Sequence, residues 1–372
     1  MIRIAIRMLV GDRARYITLI SGLAFVALLF VQQGSVFLGL ISRTARPIDI
    51  VGAQVWVADP TIQYVDEPKP LKDADLFRVR GVSGVRWAAP LIMRQVQATL
   101  PDGRSQSVRL FGLDSGSLVG LPAKVVAGNA ELGSQDTVIL GTAELERLGN
   151  PGAGGTFQIN DRLAKVAGIV QTRRDFLSNP YVFTTMERAL RYAQFQRKHM
   201  SFVLVAPADG ITPGEIAGRI RNETGLAAFT QEEFRELTIN YYLKNTGIPI
   251  TFGISLFLVF VVGMAIAGQT FYSFALQNER YFAALKAMGT GGWTLTRMIM
   301  FQALMVGFIG YGLGAGLASM IGWLGRGTEQ VPYLTSWALL AVSLGATLFI
   351  CLASSLHGIS RVLRLEPAAV FR

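Results

Sequence analysis

Residues 248–276 read IPITFGISLFLVFVVGMAIAGQTFYSFAL, twenty-nine positions without a carboxylate, lysine, arginine or histidine. About 20 helical residues suffice to cross the hydrocarbon core of a bilayer. Three further runs have the same character, residues 17–41, 295–324 and 337–356. The one ionised side chain in the four is Arg297, near the start of the third run, where a long side chain can snorkel to the membrane surface. Composition agrees, with 51% of the 372 residues apolar and 16% charged, against about 25% charged in an average soluble domain. The mean hydropathy is +0.39.

Between the first two runs lie residues 42–247, a turn-rich stretch of 206 residues with 24 Lys and Arg against 21 Asp and Glu. The expected fold class is therefore an α-helical membrane protein with four transmembrane helices and a large α+β extracytoplasmic domain inserted between the first and second. The net charge of +10 raises nucleic acid as a partner. The insert carries only +3 of it, without a basic run or interleaved aromatics, so nucleic acid is set aside.

Short loops retain Lys and Arg on the cytoplasmic side. Arg3, Arg7, Arg13 and Arg15 precede the first span, Arg280 and Lys286 lie between the second and third, and Arg361, Arg364 and Arg372 follow the fourth. The loop between spans three and four has only Arg326 as a basic residue. Both termini are expected in the cytoplasm: residues 1–16 as an amphipathic helix at the lipid interface, 277–294 as a cytoplasmic loop, 325–336 as a short external loop and 357–372 as a cytoplasmic tail. A cleaved signal peptide is the rival for the first span, but its run of 25 residues exceeds the 7–15 of a signal h-region.

Within the insert, Val51 onward reads as a strand stopped by Pro60, and Pro90 to Leu113 as a hairpin turning at Pro101-Asp102-Gly103-Arg104. Alternating segments at 138–140, 156–160, 163–170, 181–184 and 201–206 read as further strands. Thr212 caps an expected helix over 213–224 with Pro213 at its first position, and a short strand follows at 226–229. Thr230 and Glu233 have capping-box spacing at the head of a helix over 231–245, which leads to span two past Gly247 and Pro249, residues that weaken or kink a helix. The glycine-rich loop 149–155 lacks the GxxxxGK[ST] lysine of a phosphate cradle and reads as a turn. The sole cysteine, Cys351, falls in span four and offers no disulfide, metal site or nucleophile.

No histidine or carboxylate falls in mid-span, so an ion pathway has no obvious residues. Span three is instead rich in small residues. Gly307, Gly310 and Gly314 suit close helix packing, within the chain or across a dimer. In the loop after span two, Tyr281, Leu285 and Met288 stand at helical spacing beside Arg280 and Lys286, and Gly289 suits a C-terminal cap, so a short amphipathic helix with an exposed apolar stripe is expected.

The stretch NERYFAALKAMGTGGWTLTRMIMFQAL, residues 278–304, resembles the coupling-helix region of FtsX-like and MacB-like ABC transporter permeases, and the ending RVLRLEPAAVF, 361–371, is similar to their usual basic-(D/E)PA terminus. The layout of one span, a 206-residue insert, LKAMG and EPAAVF looks most like the DevC-like permeases. MacB itself carries a fused ATPase, whereas this chain has no Walker A sequence. The resemblance implies a non-catalytic mechanotransmission subunit without catalytic residues, metal or cofactor of its own, with ATP bound by a separate cytoplasmic ABC ATPase. It also implies a permease homodimer in the inner membrane, a periplasmic adaptor, often an outer-membrane channel, and an amphiphilic cargo such as a lipid, glycolipid or peptide. Carried over by position, Glu279, Arg280, Leu285, Lys286 and Gly289 are expected to meet the ATPase, with Leu285 as anchor. The alternative is an FtsX-like transducer that activates a cell-wall hydrolase and transports nothing.

Overall fold

A computed structural model describes residues 13–133, 136–193, 199–325 and 330–364. The N-terminal helix expected over 1–16, apart from its last residues, the loop residue Arg326 and the EPAAVF ending lie outside the described residues. Two compact units emerge, one formed by 1–40 with 247–372 and the other by Ile41–Thr246.

The first unit contains four helices long and apolar enough to cross a membrane: α1 (Arg13–Thr44), α7 (Ile248–Gln277), α9 (Gly292–Gly325) and α10 (Trp337–Leu363). Leu19, Leu23 and Val26 of α1 share one core with Phe271 of α7, Ala303 and Val306 of α9, and Ile350 of α10. Small residues set the helix spacing. A Cβ on Gly310 would stand 2.9 Å from the Leu23 Cβ, and one on Gly307 would stand 2.9 Å from the Cys351 Sγ. At Gly314 a Cβ would run into the Ala24 carbonyl oxygen. The three glycines thus pack against α1 and α10 of the same chain, whereas Gly312 and Gly316 face open space. Helix α10 extends seven residues past the expected end at 356, because Ile359 and Val362 continue its buried face.

In the second unit the described strands form one ten-stranded sheet and a two-stranded one, β2 (Leu71–Lys72) with β10 (His199–Met200). The larger sheet has two parts, joined by the fifteen-residue β3 (Val85–Thr99). Up to Leu91, β3 pairs antiparallel with β11 (Phe202–Pro207), which continues to β1 (Val55–Ala58) and β12 (Ala227–Thr230). From Ile92 it pairs with β4 (Ser105–Leu113). Pro90 sits just before that second ladder begins, where a missing N–H leaves no gap in it.

Beyond β4 the order runs through β9 (Tyr181–Thr185), β6 (Thr137–Gly141) and β8 (Arg162–Val170), and β7 (Thr156–Ile159) pairs both β8 and β3, closing a six-stranded circuit. The pairs β4 with β9 and β6 with β8 are parallel. Strand β5 (Val125–Gly128) adds an edge on β8.

Strand periodicity divides the residues between faces. Ile92, Val96, Val108, Leu110, Val138, Leu140, Val166 and Val182 fill one core. Their alternates Leu91, Met93, Phe111, Ile139 and Phe183 join a second with Trp56, Phe202 and Phe234. A third core packs α3 (Asp73–Arg80) and α5 (Pro213–Thr224) on Val55, Val57, Val203 and Val205. The remaining helices of this unit are α2 (Arg46–Val51), α4 (Met186–Tyr192) and α6 (Gln231–Asn245).

Both expected capping boxes form. Glu215 N donates to Thr212 Oγ1 at 3.3 Å and Thr212 N to Glu215 Oε2 at 3.0 Å, and Thr230 with Glu233 repeats the pattern at 3.2 and 2.9 Å. After Asn245 the helix stops at an extended Thr246, and α7 starts at Ile248 with Pro249 in its first turn. The expected weak point at Gly247 is thus a break between two helices. The hairpin turn closes as read, with Gly103 at φ +84° and its N–H on the Leu100 carbonyl.

Candidate coupling surface

The segment between α7 and α9 folds as α8 (Glu279–Ala287). Asn278 turns the chain, with its side-chain Nδ2 donating to the Phe274 carbonyl at 2.9 Å and its own carbonyl accepting from Phe282 N. At the other end Gly289 N–H reaches the Lys286 carbonyl at 3.0 Å and Thr290 N–H the Leu285 carbonyl at 3.1 Å, the two bonds of a Schellman ending. That ending requires a left-handed residue, and Gly289 supplies it at φ +90°. Gly289 therefore shapes the turn by its backbone.

A helix advances about 100° per residue, which puts Tyr281, Leu285 and Met288 within an arc of about 60°. The structure sets the edge of the buried face inside that arc. Phe282 and Leu285 join the core of the membrane unit, Leu285 at 8% exposure, and Ala283 is buried, while Tyr281 is 65% and Met288 74% exposed. Leu285, the residue expected as anchor, stands about 60° from Phe282 and is drawn in with it against the helices that flank α8. The exposed apolar surface is made by Tyr281, Met288 and Trp293, the last at 72% exposure. Sequence reading passed over Trp293, although a tryptophan just after the Gly289 turn signalled an aromatic at a membrane boundary.

The charged residues also divide. Arg280 is exposed and Glu279 half-buried on the first turn, whereas Lys286 Nζ donates to the Leu363 carbonyl at 2.8 Å, at the C-terminus of α10. A cation there satisfies a free carbonyl and meets the negative end of the helix dipole. Lys286 thus ties α8 to α10, and Arg280 with Tyr281, Met288 and Trp293 forms the face presented outward.

These elements also carry the likeness to known proteins. The MacB-like periplasmic core domain profile matches residues 17–223, more than half of the chain, and the FtsX-like permease C-terminal profile matches 253–367. The chain belongs to the MacB/FtsX type of ABC transporter permease. An uncharacterized ABC transporter permease from Mycobacterium tuberculosis is 26% identical over 340 residues, covering 90% of this chain and 88% of that protein. Another from Mycobacterium bovis is 26% identical over 357 residues, covering 94% and 93%. Among solved structures, the periplasmic region of MacB from Actinobacillus actinomycetemcomitans aligns at 15% identity with a TM-score of 0.39, covering 54% of this chain and 96% of that one. The extracellular domain of the noncanonic ABC-type transporter YknZ from Gram-positive bacteria aligns at 14% identity and 0.36, covering 48% and 99%. A permease of this type implies a partner ATPase.

In the second unit, residues 41–246, a buried polar cluster had no motif to reveal it. Arg109 of β4 is 5% exposed and pairs with both Asp66 and Asp175, the latter at 2.8 Å. Tyr242 of α6 donates to Asp66 Oδ2 at 2.9 Å. Burial raises the Asp175 carboxyl above its usual range, Arg109 only partly opposing it, and raises the Tyr242 hydroxyl as well, Asp66 adding to the effect. Tyr241 stacks on Tyr64 with ring centres 4.0 Å apart, and Phe176 packs on Tyr242 at 5.1 Å. The last turns of α6 are therefore held to the sheet and to two loops by charge and aromatic contacts together.

Proposed function

We propose that this permease transmits ATP-driven conformational change from a separate cytoplasmic ATPase to its outer domain, and so exports an amphiphile such as a lipid, glycolipid or peptide, working with a periplasmic adaptor and an outer-membrane channel. Two copies pair with two ATPases, both termini lie in the cytoplasm and the membrane is the inner one. The observation that carries this reading is α8: its inner face is fixed to the membrane unit by Phe282, Leu285 and Lys286, and its outer face offers Arg280, Tyr281 and Met288. Force applied to the outer face reaches α7, α9 and α10 without an intervening flexible segment. The tie of Tyr241 to Tyr64, and of Tyr242 through Asp66 to Arg109 of β4, gives the inserted domain a firm grip on the chain that leaves it at Thr246.

The test is co-purification with the partner ATPase in detergent. Tyr281→Asp combined with Met288→Asp is expected to lower transporter-stimulated ATP hydrolysis to the rate of the ATPase alone, with an unchanged size-exclusion profile of the permease. Full stimulation in that variant would remove the surface from the interface. Leu285→Asp serves as the contrasting variant, since it places a charge in the core and lowers the yield of folded permease.

A further inference from the structure

In the inserted unit, a cleft of about 410 Å³ opens between α2, the loop before β5 and the residues after β8. Its walls bring together Arg46, Lys124 and Arg173, with Ile50, Pro122 and Ala123 as an apolar side. One carboxylate, Asp49, faces them. Arg46 Nη1 stands 3.8 Å from it and Arg235 Nε 3.6 Å, and Arg173 and Glu232 also act on its charge. Four cations therefore surround two acids. The Nε of Arg46, on the cleft wall, is buried without a hydrogen bond, an arrangement that calls for an acceptor. Lys124 and Arg173 are exposed and form no ion pair among the described residues.

Chain connectivity fixes the setting. Arg46 follows Thr44, the last residue of the apolar helix α1, by two positions, so it stands no more than about 7 Å from the end of a membrane span. Cations at that level can meet lipid phosphates, to which arginine and lysine donate charge-assisted hydrogen bonds.

We infer that this cleft binds the anionic, phosphate-bearing headgroup of a membrane lipid, with Arg46, Lys124 and Arg173 on the phosphate and Ile50, Pro122 and Ala123 against the glycerol and first acyl carbons. The site stands whether or not the permease exports anything, and it is tested without the ATPase, so its failure and that of the coupling reading are separable.

The full chain in detergent micelles is titrated with fluorescent phosphatidylglycerol, with unlabelled phosphatidylglycerol, phosphatidylcholine and inorganic phosphate as competitors. Lys124→Glu with Arg173→Glu is compared with Arg162→Glu with Lys165→Glu, the same charge change on exposed β8 residues away from the cleft. The expected result is at least about fivefold weaker binding in the cleft variant alone, with competition by unlabelled phosphatidylglycerol only. Equal effects of the two reversals, or equal competition by phosphatidylcholine, would overturn the site. Displacement by submillimolar phosphate would reassign it to a free anion and overturn the lipid.

Discussion

Arg109 is the residue on which the inserted unit has most at stake. It stands between two carboxylates, with the Tyr242 hydroxyl on one of them, and removing one partner of a buried pair leaves an uncompensated charge. Arg109→Met is expected to cost about 3–5 kcal/mol, seen as a lower midpoint of thermal unfolding in detergent. A midpoint within a degree of the parent would show that water already reaches the cluster. Asp175 adds a dependence on pH. Its folded pKa lies above the ordinary 3.8, so its contribution is most favourable below that value and is lost as pH rises through the folded pKa. The stability of the parent relative to Asp175→Asn should thus fall between acid and neutral pH, and a flat difference across parallel unfolding curves would contradict the shift. No spacing announces this cluster, because Asp66, Arg109 and Asp175 are brought together by β4 and two loops. The capping residues behave otherwise. Thr212 with Glu215 and Thr230 with Glu233 act over three residues, and their bonds are those the sequence implies.

At the scale of elements, α9 separates two kinds of glycine that look alike in sequence. Gly310 and Gly314 let α1 approach, while Gly312 and Gly316 face away from the rest of the unit. Gly314→Val is expected to destabilise the helix pair by about 1–3 kcal/mol through overpacking, with Gly312→Val close to neutral, as read by thermal aggregation of the detergent-solubilised permease. The reverse order would mean that α9 is rotated. If Gly312→Val preserves the fold but dissociates a homodimer, the open face belongs to that contact. The same division explains α8. Its helical spacing was visible in Tyr281, Leu285 and Met288, but residues 40° apart can lie on opposite sides of a burial boundary, and only the packing of α7, α9 and α10 sets that boundary.

For the whole molecule, the basic residues of the short loops predict on which side of the membrane the inserted domain lies. Cys351 is the sole cysteine and is buried, so introduced cysteines report cleanly. A membrane-impermeant maleimide should label Arg104→Cys, at the exposed hairpin turn, in intact spheroplasts, and Arg280→Cys only after lysis. The opposite pattern would invert the topology and with it the coupling reading. The four spans, the inserted domain, the hairpin and both capped helices follow from the sequence alone, because each depends on local quantities: apolar length, period-two alternation, turn residues and side chains three positions apart. The sheet order, the closure of the strand circuit by β7, the inward turn of Leu285, the sorting of the α9 glycines and the cluster at Arg109 depend on residues far apart in the chain. Contacts of that kind become determinate only when the elements pack, since burial and desolvation belong to the assembled neighbourhood and to no segment within it.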